Sequence, residues 1–382
     1  MRQDENSTLK WKNMRDGIDG QVSLLSTAIR ELYAHASQAL TGPVPTRVYF
    51  VGCGDSHFCG VATRYASELL TGISTEALES LEFSRYAIRT APEGSLVVAV
   101  SNSGDVARSV EALKFARQAG LSTLAITYNE GSRLAEQGDA LITYDYRDVG
   151  FGPGTMSYEA SLLSLLAVII RLAELAGRLD SAGVEAQLGR ISALSRVLEH
   201  TLAASEKPAR DVAAVLTDET PVFVLGGGPN YGTAMFTMAK MIESARHNTV
   251  AQQLEEWAHE QYFCCTPGTV TIVLAPPGAS LDRAREQLQA IRDMRGTAVA
   301  VCSAEDRTTA DLADFVLPVV GHVDEELSPL VYLAAGELIA HAFASQNDKV
   351  MLGFDDEFRK QVNFRQIFGS NIPESVLVQA SL

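Results

Sequence analysis

Val97-Val98-Ala99-Val100-Ser101-Asn102-Ser103-Gly104-Asp105-Val106-Ala107-Arg108-Ser109 is the stretch that decides the fold. Its first four residues read as a strand covered on both faces, because apolar residues run continuously instead of alternating. The run stops at Ser101-Asn102-Ser103-Gly104, and a helical pattern starts near Asp105 with Val110, Leu113 and Phe115 on its apolar side. A strand that turns into a helix through Ser and Gly sets hydroxyls and unpaired backbone N–H groups at a helix N-terminus, where the dipole also favours negative charge. Two readings fit this stretch by itself: a capped strand-to-helix turn of any α/β protein, and an anion site.

The rest of the composition narrows the classes. The chain has 382 residues, 46% of them apolar and 20% charged, which is globular and long enough for two domains. A net charge of −16 speaks against nucleic acid as a partner, since phosphate-backbone binding needs a basic surface. The N-terminus lacks a basic segment followed by an apolar core, so no secretory signal is expected. The most apolar run, Leu162 to Ile170, ends at Arg171 and is expected to be a buried helix too short for a bilayer, so no membrane is expected. Five cysteines (Cys53, Cys59, Cys264, Cys265, Cys302) without framework or Cys-x-x-Cys spacing read as reduced thiols of a cytoplasmic protein. The seven histidines lie far apart, so no metal site and no cofactor are expected.

Taken in order, residues 1–44 form an N-terminal helical segment (Ile18, Val22, Leu25, Ile29, Leu32) that ends at Thr41-Gly42-Pro43-Val44-Pro45. Short apolar strands then alternate with helices from Arg47, the pattern of a doubly wound parallel sheet. The pattern occurs twice. Arg47-Val-Tyr-Phe-Val-Gly-Cys-Gly is matched by Pro221-Val-Phe-Val-Leu-Gly-Gly-Gly, and Leu96-Val-Val-Ala-Val by Val270-Thr-Ile-Val-Leu, each 174 residues on. Asp139 is matched by Asp314 at an offset of 175. The expected organisation is a first α/β domain over 45–178, a helical linker over 179–205, a second domain over 206–346 and a tail over 347–382. The copies are not equivalent: where the first has Ser101 to Gly104, the second has Ala275-Pro276-Pro277-Gly278, which loses the serines and two backbone donors.

In the second copy, Lys240 and Glu243 stand three apart on one helical face, and His259 follows sixteen residues later among carboxylates. By spacing alone the first two read as an exposed ion pair and the histidine as a salt-bridged surface residue. Near an anion cradle the same three would suit proton transfer on a small anionic carbohydrate: Glu moves a proton between carbons, His serves a ring oxygen, Lys stabilises an enediolate. A dinucleotide loop is a weaker reading, since Gly52-x-Gly54-x-x-His57 and Gly226-x-Gly228-x-x-Tyr231 both lack the third glycine.

Over about residues 45–345 these motifs resemble the sugar isomerase (SIS) family, in particular the isomerase domain of glucosamine-6-phosphate synthases and the fructosamine-phosphate deglycases. Cys53-Gly54-Asp55-Ser56 and Ser101-Asn102-Ser103-Gly104-Asp105-Val106 fall on that family's two phosphate loops, and Lys240-x-x-Glu243 with His259 falls on its catalytic segment without a gap. The resemblance implies an α/β fold of two tandem doubly wound, flavodoxin-like SIS domains. It implies a substrate-binding set of Gly54, Ser56, Ser101, Asn102 and Ser103, and a catalytic set of Glu243, His259 and Lys240. It also implies a homodimer in which His259 crosses to the neighbouring subunit. Lys360 is the nearest counterpart of the family's C-terminal lysine, across a small gap. The departures are Val106 for a threonine, Asp55 and Asp105 beside the anion, and His259-Glu260-Gln261 for His-Gly-Pro. These leave phosphate and sulfonate head groups both open. Arg47 already opens the first sugar domain, so no glutaminase activity is expected. The implied function is an aldose–ketose isomerase of a C6-anionic hexose, working through a cis-enediol without a metal. The alternatives are a fructosamine-phosphate deglycase or amino-sugar-phosphate deaminase, and a non-catalytic sugar-phosphate-binding regulator, which would need only the cradle.

Overall fold

Val48-Tyr49-Phe50-Val51-Gly52 is buried along its whole length, as a strand with neighbours on both sides and cover on both faces must be. In a computed structural model, which describes residues 4–375, it is β1 (Val48–Gly52) of the first of two sheets. Helix α1 (Asp4–Ala39) precedes it, and α2 (Asp55–Thr71), β2 (Thr75–Glu79), α3 (Ser80–Arg85), β3 (Leu96–Val100), α4 (Ala107–Gln118), β4 (Ser122–Thr127) and β5 (Ala140–Thr143) follow. Two long helices, α5 (Met156–Leu175) and α6 (Ser181–Ala214), come next. The second sheet is built from β6 (Val222–Gly226), α7 (Asn230–Ala245), β7 (Thr249–Gln253), α8 (Leu254–Trp257), β8 (Val270–Ala275), α9 (Leu281–Asp293), β9 (Thr297–Ser303), α10 (Arg307–Ala310) and β10 (Phe315–Val319). Helices α11 (Pro329–Gln346) and α12 (Glu357–Ile367) complete the described chain.

Both sheets are parallel, five-stranded and flanked by helices. The order is β2-β1-β3-β4-β5 in the first and β7-β6-β8-β9-β10 in the second, which is the same winding. The registers also correspond. Val48 pairs with Thr75 and Leu96, while Val222 pairs with Thr249 and Val270, every number 174 higher. Asp139 Oδ2 accepts the Thr123 N–H at 3.0 Å, and Asp314 Oδ2 accepts the Ala298 N–H at 2.8 Å, so the two aspartates do one job at corresponding strand starts. Gly52 and Gly226 end β1 and β6 because the next helix returns too close for a side chain: a Cβ there would lie 2.5 Å from Ser56 backbone and 2.0 Å from the Asn230 carbonyl oxygen.

Contacts divide the chain into two compact units that are discontinuous in sequence. The first sheet belongs to a unit made of Thr27–Tyr146, Ser157–Ser192 and the chain from Asp356 onward. The second belongs to a unit made of the chain up to Ser26, Arg147–Met156 and Ala193–Asp355. One core joins Tyr49, Val51, Phe83, Val97, Leu113 and Phe115; another joins Leu225, Trp257, Val273, Leu288 and Ile291.

The apolar run Leu162 to Ile170 corrects one expectation. It lies within α5, whose 20 residues are long and apolar enough to cross a membrane by length and composition, so a short run does not exclude a span. What marks it as a core helix is that 89% of its apolar window is buried inside the protein.

A buried charge ties α3 to α4. Glu111 is wholly buried and accepts hydrogen bonds from Ser84 Oγ and Arg85 Nη2, both at 3.0 Å, and from Arg108 Nη1. Glu111→Gln leaves two arginines without their counter-charge. Urea unfolding is expected to show a loss of about 2–4 kcal/mol, below the full cost of a broken buried pair because both arginines reach water.

Candidate functional site

In each sheet the strand order reverses once, between β1 and β3 and between β6 and β8. Helices leaving two such neighbours depart to opposite faces, so a crevice opens at their carboxyl ends; this is the usual ligand site of a doubly wound sheet. Gly54 and Ser56 follow β1, and Ser101, Asn102 and Ser103 follow β3, so the five expected substrate-binding residues sit at the carboxyl ends of two paired strands.

Gly54 leads into α2 at φ 56°, a left-handed conformation that favours glycine, and α2 has no side-chain cap. Helix α4 likewise starts from Val106 without a side-chain cap. Gly104, at φ 70°, could not carry a side chain, because a Cβ would fall 2.0 Å from Ser132 Oγ. Ser101 Oγ accepts the Gly104 N–H and Ser103 Oγ accepts the Asp105 N–H, both at 3.2 Å. As acceptors these hydroxyls fix the turn, and their protons stay available to an anion. The acidic residue of this loop is compensated: Asp105 Oδ1 accepts the Arg133 N–H and Nε–H, both at 3.3 Å. Arg133 Nη2 also donates to the Phe368 carbonyl at 3.0 Å, which ties the C-terminal segment to the loop.

The β6/β8 crevice is different for a reason the sequence did not reveal. Glu325 Oε2 accepts the Ala279 N–H at 3.0 Å, and a Cβ added to Gly278 would meet Glu325 Cδ at 2.2 Å. The loss of serines is therefore accompanied by a carboxylate of the chain itself, packed against the loop that leads into α9.

In the same unit as that second sheet, Lys240 and Glu243 lie on α7. Lys240 is fully buried, which corrects the spacing-based expectation of an exposed ion pair. Its Nζ donates to Glu243 Oε2 at 2.5 Å and to the Gly154 carbonyl at 3.0 Å, and sits 4.9 Å from the Phe236 ring centroid. Glu243 keeps 29% of its side chain exposed, so a reactant can reach it. His259, just after α8, is 64% exposed and pairs with Glu255 Oε1 at 3.1 Å, while Arg283 Nε holds the other oxygen at 2.6 Å. Within one chain His259 is thus a carboxylate-paired surface residue. Lys360 lies on α12 in the unit of the first sheet, with Nζ 3.9 Å from Glu357 Oε2 and its side chain 44% exposed. Among the described residues no cluster of three or more His, Cys, Asp or Glu could hold a metal ion.

Four contributors escaped sequence reasoning: Arg133, Glu325, and the phenols Tyr144 and Tyr146, which both donate to Asn102 Oδ1 at 3.1 Å. Their partners lie 28 to 46 residues away in sequence, and no local pattern marks such contacts. Cys53, in the first loop, donates to Glu79 Oε1 at 3.1 Å; burial pushes its thiol up to about 11, and Glu79 adds to the shift.

Residues 44–171 match the SIS domain family, and this stretch of the chain is a SIS domain. The chain is homologous to the glutamine–fructose-6-phosphate aminotransferase (isomerizing) of Escherichia coli, 25% identical over 333 residues that cover 87% of this chain and 54% of that enzyme. It thus spans about half the length of the curated relatives it matches. The fold is shared with the C-terminal domain of glucosamine-fructose-6-phosphate aminotransferase from Francisella tularensis, at a TM-score of 0.75 and 17% identity over 89% of this chain and 97% of that one. It is shared too with the tagatose-6-phosphate ketose/aldose isomerase of Escherichia coli, at a TM-score of 0.71 and 18% identity over 88% and 93% of the two chains.

The state of the first loop can be read through its thiol, because the thiolate is the reactive form. At about pH 7.5, iodoacetamide is expected to label exposed Cys264 and spare Cys53 in the folded protein. Peptide mass spectrometry checks this; equal labelling of the two would mean that the loop is open.

Proposed function

We propose that this chain catalyses the aldose–ketose isomerisation of a hexose that carries an anionic group at C6. The observation that carries the reading is the buried lysine of α7, whose Nζ holds the carboxylate of a partly exposed Glu243 at 2.5 Å. Desolvating an ammonium is costly, and the groups that offset the cost here include the Glu243 carboxylate, the Gly154 carbonyl and the Phe236 ring face. An ion pair of the surface kind would need none of that, so the arrangement fits a group held for chemistry.

In this reading Glu243 takes the proton from C2 of the open-chain aldose and returns it to C1, and the ketose is formed; the reverse direction uses the same group. The electrons of the broken C–H bond form the C1–C2 double bond and push the carbonyl pair onto O1, giving a cis-enediolate with Lys240's positive charge beside it; the O2 hydroxyl proton passes to O1 as C1 is reprotonated, which leaves the C2 carbonyl of the ketose. The family resemblance assigns the anion at C6 to Ser56, Ser101, Asn102 and Ser103. His259 serves the ring oxygen during ring opening. In one chain it faces solvent and Glu255, so the reading calls for a second copy of the chain to deliver it, as the family resemblance implies. Relatives whose names carry isomerisation of hexose phosphates support the substrate class.

Incubation with fructose 6-phosphate in deuterated water, followed by proton NMR, tests the proposal. Deuterium is expected to enter at C1 or C2. A sugar that binds without any exchange contradicts the reading, and amine release from a fructosamine phosphate would move it to C–N cleavage. Glu243→Gln is expected to lower turnover by about 10²–10⁴-fold while ligand binding survives.

A further inference from the structure

Asn102 is held from outside its own loop. Its main-chain carbonyl accepts the Tyr128 N–H and the Thr127 hydroxyl, both at 3.2 Å, so β4 fixes its backbone. Its side-chain oxygen accepts two phenols from the end of β5, Tyr144 and Tyr146, each at 3.1 Å. A carboxamide oxygen has two lone pairs, and here both are spent. The Tyr144 ring is 95% buried, and burial raises the pKa of its phenol, so it stays a proton donor at any physiological pH. Its other neighbour, Ser161 Oγ, lies at 3.4 Å and has its proton committed to the Ser157 carbonyl at 2.8 Å. Tyr128 and Tyr146 pack ring to ring at 5.1 Å, and Tyr144 and Tyr146 stack at 6.2 Å, which limits how far either phenol can swing.

We propose that Tyr144 and Tyr146 are positioning residues that turn the Asn102 amide so that only its NH2 faces a ligand, making the cradle selective for an acceptor-only, tetrahedral oxyanion. The inference rests on the cradle's role in the function proposed above and adds the device that sets its polarity. An amide free to flip could meet either a donor or an acceptor on the ligand. One whose oxygen is already doubly bonded can only donate. The selection therefore works against a ligand that offers only donors at the same place, such as an ammonium, and it requires no positive side chain in the loop itself.

Calorimetric titration of the full chain with fructose 6-phosphate, and with inorganic phosphate as a minimal probe, tests this. The variants are Tyr144→Phe with Tyr146→Phe, Tyr146→Phe alone, and Asn102→Asp. The double variant is expected to lose about tenfold or more in affinity for both probes, the worth of one charge-assisted hydrogen bond. Tyr146 is only partly buried, so its single variant folds and shows part of that loss. Asn102→Asp keeps both phenol contacts but turns an oxygen to the ligand, and is expected to lose both probes by more than the double variant at an unchanged thermal midpoint. A merely structural role would lower the midpoint and leave affinity alone. A double variant within twofold of wild type, or an Asn102→Asp protein that binds as wild type does, overturns the proposal while the function stands. A wild-type chain that binds neither probe overturns both.

Discussion

The reversal of strand order in a parallel sheet is the constraint on which this molecule depends. Wherever it occurs, two neighbouring strands send their helices to opposite faces, and the helix N-termini at that point are left with donors that the helix cannot satisfy. The chain meets the problem twice, at β1/β3 and at β6/β8, and solves it in two ways. At β6/β8 it removes donors with Pro276 and Pro277 and presents Glu325 to the Ala279 N–H. At β1/β3 it keeps the serines, leaves α2 and α4 without side-chain caps, and ties Asp105, the carboxylate of the second loop, to Arg133. One crevice carries its own anion, and in the function proposed above the other receives one.

Physical economy links the features of the open crevice. Ser101 and Ser103 spend their lone pairs on the turn and keep their protons. Gly104 lets the loop press against Ser132, so the turn is fixed before a ligand arrives. Asp105, which by sequence alone threatens an incoming anion, is turned into a brace by Arg133, which also reaches the C-terminal segment at Phe368. Preorganisation of this kind reduces the ordering cost of binding and favours a single head-group geometry. On α7 the same reasoning runs in reverse. Burying Lys240 costs energy, and the gain is a carboxylate held at a defined place by a charge that cannot wander.

The fold was largely legible because its signals are local. Unbroken apolar runs such as Leu96 to Val100 read directly as central strands, and the 174-residue spacing of motifs reappears as the spacing of registers. Glycines at the strand ends carried the loop positions for the same reason: a close return of the chain forbids any other residue. The site was legible in part. The loop serines and Lys240 with Glu243 announce themselves by spacing, but spacing gives no burial, and the lysine read as exposed is wholly enclosed. Arg133, Tyr144, Tyr146 and Glu325 act across 28 to 46 residues on partners that only the folded sheets bring near. Length arguments were similarly limited, since the apolar run of α5 continues at both ends into a helix of 20 residues whose identity as core rests on burial.

The central claim is that one crevice, and only one, is an anion site. Selenate is a tetrahedral oxyanion whose selenium can be located by anomalous diffraction, so a soaked crystal of the full chain tests the claim directly. The account predicts one anomalous peak per chain, between the loops that follow β1 and β3, beside Ser56 and Ser101 to Ser103. A peak at Gly278 and Ala279 in the place of the Glu325 carboxylate, or equal peaks at both crevices, would contradict it.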